Sequence, residues 1–314
     1  MFERQTNKHI FLKKCPYASF NNLLHSQVSK FCCILKSKFF LRKIHFFSFF
    51  LKKKNTTPNH THFPSKKKMP SFIAITSQKN KETTISQGTL FKSKEWLYGI
   101  VERLGLPNDD ARDLAFLSIL VFENLLLRAS GRRCFSVPLN THYLQLFGLV
   151  SINTAAQSMP ARIASKVLAD RMMSFGRDVY SSSDFASLQT EVNELDFIAT
   201  LALHKTLDHF EVFLREFPQE TQIRNVSLIL LDAYHLQFIM LLSDARKVAL
   251  AVLAVARFWV MESVVERWLP EYETFTQLSF HQIKEQYDQV YCLAYAINQR
   301  NLAKKREEKG KRVT

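Results

Sequence analysis

Chain breakers are scarce in this protein. Seven glycines and nine prolines are spread over 314 residues, so few positions are forced to interrupt a helix. Cysteine is scarcer still where it would matter. Of the five, only Cys134 and Cys292 lie beyond Met69, far apart, and no CxxC pair occurs. That usage fits a reducing compartment and excludes a disulfide or metal framework. No apolar run reaches the roughly 20 residues needed to cross a bilayer. "VALAVLAVARFWVM" is short and carries Arg257, and Phe39–Leu51 is shorter and holds Arg42, Lys43 and His45. An uninterrupted apolar signal region with a small-residue cleavage site is also missing. No phosphate-cradling glycine loop, HExxH or nucleophile elbow appears, which leaves an enzyme without a motif. His204 and His209 lie five apart, the wrong interval for a helical metal pair.

Acidic residues are nearly absent from the first fifth. Residues 1–68 hold fifteen Lys or Arg and a single acid, Glu3, for a net +14, whereas residues 69–314 come to +1. The overall +15 therefore belongs to one segment, and the remainder is close to neutral. The segment has neither a helical nor an alternating period, and Lys dominates over Arg, unlike a mitochondrial presequence. Phe and Lys are what runs of T and of A encode. Residues 1–68 are accordingly expected to be disordered: a translated AT-rich upstream region with Met69 as the true start, a mobile tail, or a targeting segment.

From Leu90 on, the texture is helical, and the expected fold class is all-α. "KSKEWLYGIVERLG" stops at Gly105-Leu106-Pro107, and Asn108 is placed to cap "DDARDLAFLSILVFENLLLR". The acids of that segment crowd its first turn and Arg128 its last, as the helix dipole favours. Apolar residues cover most of its circumference, which puts it in the middle of a bundle. "THYLQLFGLVSI", "ARIASKVLADRMMSF" and "SSSDFASLQTEVNELDFIATLAL" complete a first set of five. A second set follows: "TLDHFEVFLREF", "TQIRNVSLILLDAYHLQF", "DARKVALAVLAVARFWV" with Ser243 as its cap, "WLPEYETFTQL", and "SFHQIKEQYDQVYCLAYAI", where Ser279 and Gln282 have capping-box spacing. The expected organisation is a helical domain over 90–202, a second over 203–303, and a basic tail over 304–314. The run Lys304–Arg312 holds six basic and two acidic residues and reads as a solvated tail or a nuclear import patch.

In order and spacing these segments resemble the cyclin family, over about residues 90–297. "EWLYGIVERLGL" is similar to the family's opening helix, with Trp96 in the place of its Trp. "LAFLSILVFENLLL" is similar to the central helix, with Glu123 where Asp is usual. "LQLFG" (Leu144–Gly148) and "IASK" (Ile163–Lys166) resemble third-helix motifs, and "NELDFIATLAL" the fifth. "LILLDAYHLQF", the Ala-rich helix and "WLPEYETFTQLSF" resemble the second half. The resemblance implies two tandem five-helix cyclin-fold bundles and a regulatory subunit, not an enzyme, that binds a cyclin-dependent serine/threonine kinase. In this reading it activates that kinase by holding the αC helix inward so that the Lys–Glu pair of the kinase can form. It places the kinase-binding contacts on Lys166, on the third helix, and Glu194, on the fifth. It implies no cofactor, no membrane and no direct nucleic-acid partner, with residence in the nucleus or cytoplasm and a role in the cell cycle or in transcription.

Three departures stand against the pattern. The substrate-docking MRAIL motif is replaced by "TLFKS". The acidic pair expected after IASK is replaced by "VLADRM". About nine extra residues, roughly Asn153–Arg162, precede IASK and contain Pro160, which no helix interior accommodates cheaply. That piece is expected to loop out or not to belong to the native protein. The alternatives to kinase activation are a non-activating adaptor of the same fold and a TFIIB-like transcription scaffold. The latter needs a basic face that residues 69–303, at −3, do not supply.

Overall fold

The computed structural model describes residues 73–77, 81–130, 135–176, 179–195, 200–201, 205–261 and 268–310. The expectations for residues 1–68, and for the stretch after Leu195 in the fifth predicted helix, fall largely outside these residues. Phe72–Thr314 forms one compact unit. It opens on an antiparallel hairpin that sequence patterning did not anticipate, β1 (Ile73–Ser77) and β2 (Lys81–Ile85), registered Ile73 to Ile85 and Ser77 to Lys81. From Gln87 on, every regular element among the described residues is helical.

Among the described residues the first half holds α1 (Gln87–Arg103), α2 (Asn108–Ser130), α3 (Leu144–Gln157), α4 (Ala161–Ala164), α5 (Ala169–Ser174) and α6 (Ser182–Asn193). Ser86 starts α1 by accepting the Thr89 amide at 3.1 Å, which satisfies one of the orphan donors of the first turn. The helix buries Leu90, Phe91, Lys94, Leu97, Tyr98 and Val101 on one side, a stripe with the 3.6-residue period. It stops because Gly105 adopts φ +67°, a left-handed conformation that glycine takes without the Cβ penalty. Asn108 proves to be the first residue of α2, and the Pro107 carbonyl receives the Ala111 amide at 2.8 Å. α2 is the axis of this half, buried almost continuously from Leu114 to Leu126 and packed on α1 and α3.

The extra residues do not loop out. α3 runs on through Gln157, and Asn153 and Thr154 lie buried inside it. They can do so because Gln189 of α6 serves both: Asn153 Nδ2 donates to Gln189 Oε1 and Gln189 Nε2 donates to Thr154 Oγ1, each at 2.9 Å. Buried polar groups are tolerated when paired in this way. The break is confined to Ser158–Pro160, and Pro160 becomes the N-cap of α4. The segment expected as one helix, 161–175, is instead two short helices joined by Ser165–Leu168. A capping box of Ser181 and Asp184 opens α6, which ends at Asn193.

The second half contains α7 (Thr206–Glu216), α8 (Thr221–Gln237), a 3₁₀ turn (Met240–Leu242), α9 (Ala245–Met261), α10 (Pro270–Thr276) and α11 (Phe280–Gly310). Here α9 is the axis, fully buried from Ala249 to Ala256 and packed against α7, α8 and α11. Its first turn is capped not by Ser243 but by Asp244, whose Oδ1 accepts the amides of Arg246 and Lys247 at 3.1 and 3.2 Å. At the start of α11 the Ser279 amide donates to Gln282 Oε1 at 2.8 Å. This helix is 31 residues long, about 46 Å at 1.5 Å per residue, and it carries the basic run through Gly310 as helix.

Candidate functional site

Lys166 lies in the turn between α4 and α5 rather than on a helix. The Lys166 amide donates to Ile163 O at 2.9 Å and the Val167 amide to Ala164 O at 3.1 Å, tight bonds that close the turn. Pro160 separates α4 from α3, and α4 then runs for only four residues before the chain bends. The Lys166 side chain is exposed and its Nζ reaches Gly105 O at 3.4 Å. Glu194 is exposed at the C-cap of α6, its amide donating to Thr190 O at 3.2 Å. It ends that helix instead of lying within it. The Lys166 side chain thus points to the α1–α2 loop, not to Glu194.

Around Lys166 the surface is mixed. An open cleft of about 480 Å³ is lined by Leu106, Pro107, Asp109, Asp110, Arg162 and Lys166. Within it Arg162 is spoken for, donating from Nη2 and Nε to Asp110 at 2.8 and 3.3 Å. Leu168, two residues beyond Lys166, is 59% exposed. Arg171 donates to three carbonyls here: Lys166 O at 3.2 Å, Arg103 O at 3.1 Å and Leu104 O at 3.3 Å.

A second polar constellation, missed at the sequence level, lies where the two halves meet. Lys94 of α1 and Glu123 of α2 form an ion pair with both side chains fully buried. The Lys94 ammonium also donates to His235 O (3.1 Å) and Phe238 O (2.7 Å), at the end of α8. Glu123 Oε2 accepts the Leu241 amide of the 3₁₀ turn at 3.1 Å. Burial raises the Glu123 carboxyl above its usual pKa, against the pull of Lys94 and of the Met240 and Leu241 amides.

His235 stacks on Phe116 at 3.7 Å between centroids, and its Nδ1 donates to Leu231 O at 3.0 Å. Nε2 is then the acceptor, buried without a hydrogen-bond donor. Burial lowers the imidazole to about 4, and the Lys94 ammonium adds to that effect. Beside it Arg112 Nε donates to Asp232 Oδ1 at 3.2 Å, and Lys205 pairs with Asp113 at 2.5 Å. All three ion pairs run from α1 or α2 to partners on α2, α8 or the start of α7, and the carbonyls on Lys94 close the junction. One signal could have found Lys94: it sits at helical spacing from Leu90, Leu97 and Val101, on the apolar stripe of α1. An unmated Lys on such a stripe is costly.

Among the described residues no group of His, Cys, Asp and Glu is arranged to hold a metal ion, and no helix is long and apolar enough to cross a membrane. Neither the protein-family models nor the curated proteins yield a match to the chain.

Proposed function

We propose that this protein is a cyclin-like regulatory subunit that binds a cyclin-dependent kinase through the surface at Lys166 and at Glu194 and does no chemistry of its own. One observation carries the reading. The two residues that the resemblance singles out are both exposed, and the surface at Lys166 combines a cation with a bare apolar side chain, Leu168. Protein interfaces take that form, an apolar centre with charged groups that fix register. The body behind this face supports the reading as well. Helices organised on two buried axes and sewn together by buried ion pairs make a rigid cradle, and a rigid cradle can hold a mobile helix in one position.

A second reading is favoured by the break at Ser158–Pro160, which takes Lys166 off the helix. The protein would then bind its kinase as an adaptor without driving the αC helix inward. The experiment is retention of cyclin-dependent kinases on the immobilised full chain, with Lys166→Ala and Glu194→Ala beside the unaltered protein and phosphotransfer measured in parallel. The expected result is retention that drops about tenfold or more in each variant, equivalent to roughly 1.4 kcal/mol, with helical content unchanged. Retention without accelerated phosphotransfer selects the adaptor, and equal retention by both variants overturns the docking face.

A further inference from the structure

Arg171 lies in the "VLADRM" stretch that stands where the family's acidic pair is expected, and it ties the backbone at Lys166 to the end of α1. Its guanidinium spans three carbonyls from two segments that are far apart in sequence. Nη1 reaches Lys166 O at 3.2 Å, and Nη2 reaches Arg103 O at 3.1 Å and Leu104 O at 3.3 Å. The last two are terminal carbonyls of α1, which lack helical partners and carry the negative end of the helix dipole. Arg171 therefore caps α1 and, with the same group, clips the α4–α5 turn onto it. The planar fork of a guanidinium can do this; the single point donor of a lysine cannot span the same acceptors. The geometry has a consequence for Lys166. Because Arg171 serves Arg103 O and Leu104 O, the Lys166 ammonium is left with Gly105 O alone, at a long 3.4 Å, a contact easily exchanged for one on a partner.

We propose that Arg171 is a positioning residue for docking. It fixes the backbone of Lys166 and relieves that lysine of capping α1, so that the ammonium stays available to an incoming carbonyl or carboxylate. The proposal rests on the kinase-binding reading and deepens it. In Arg171→Ala the α1 carbonyls lose their donor, and the Lys166 ammonium, already on the adjoining Gly105 O, is placed to replace it. The turn loosens and the lysine is drawn inward.

The test is a double-mutant cycle on the full chain, with kinase retention as one readout and amide hydrogen exchange over residues 163–176 as the other. Arg171→Ala is expected to weaken retention by at least about fivefold and to speed exchange in the turn. Arg171→Ala combined with Lys166→Ala is expected to be no weaker than Lys166→Ala alone, because contacting residues do not act additively. Arg171→Lys should recover only part of the loss. Arg224→Ala, which breaks an exposed pair with Glu211 in the second half, serves as the control and should leave both readouts unchanged. If the unaltered chain retains no kinase, the reading of function fails and this proposal falls with it. If the unaltered chain binds and Arg171→Ala binds equally well, or if the two substitutions simply add, the positioning role alone is overturned.

Discussion

Lys94 has the most to lose from substitution. Its partner Glu123 is fully buried, and removing one member of such a pair strands the other charge. Lys94→Ala should therefore cost about 3–5 kcal/mol, seen as a fall in the urea midpoint with no matching gain in kinase retention. His235 sets a pH dependence at the same junction. Its folded-state value near 4 lies below the ordinary 6.5, so between those two values the unfolded chain binds a proton that the folded chain refuses. Stability from this source is complete above about pH 6.5 and is lost as pH falls through the window, by up to about 3 kcal/mol. Glu123, whose carboxyl burial pushes up, acts in the opposite sense because there the folded chain takes the proton first. The two are separated by comparison with His235→Gln. Between pH 7 and pH 5 the urea midpoint of the unaltered protein should drop further than that of the variant.

At the scale of elements, Gly148 decides how closely α3 approaches α1. A Cβ there would lie 2.8 Å from Leu97 Cδ2 and 3.2 Å from the Trp96 ring, and Leu97 is already in the core. Gly148→Ala is expected to destabilise by about 1–3 kcal/mol, as overpacking does, even though alanine is the better helix former. Thermal unfolding followed by circular dichroism measures it. The motif "LQLFG" was legible in the sequence, but the reason for its glycine was not, because Trp96 and Leu97 come from another helix. Helix positions followed well from periodicity and caps, since those are local. Failures occurred where a distant side chain intervened. Gln189 satisfies Asn153 and Thr154, and so keeps helical a stretch that Pro160 alone seemed to condemn.

For the molecule as a whole, the junction predicts that the halves do not melt separately. Ion pairs and carbonyl contacts join α1 and α2 to the start of α7, to α8 and to the 3₁₀ turn, with Lys94, Glu123 and Asp232 buried among them. Opening the junction would take the His235 and Phe238 carbonyls from Lys94 and the Leu241 amide from Glu123, and would bring that fully buried ion pair to water. The three tryptophans allow a direct measurement, since Trp96 lies in the first half and Trp259 and Trp268 in the second. Urea unfolding followed at Trp96 alone and at Trp259 or Trp268 alone, in variants keeping one reporter each, should give coincident transitions, the mark of a single cooperative unit. Two separated midpoints would mean the halves fold independently.

The amino-acid sequence by itself determined the helical class from about Leu90 on, most helix limits, the central place of α2, and the concentration of charge in the first 68 residues. Each follows from composition, period or caps read within a few neighbouring positions. Tertiary structure decided that Lys94 turns inward to Glu123, that His235 is held neutral against Phe116, and that Lys166 stands on a turn clipped by Arg171. These outcomes depend on groups as many as 144 positions apart in the chain. Whether a charge is buried or bare is settled by the partner that folding brings to it, and no local pattern encodes that partner.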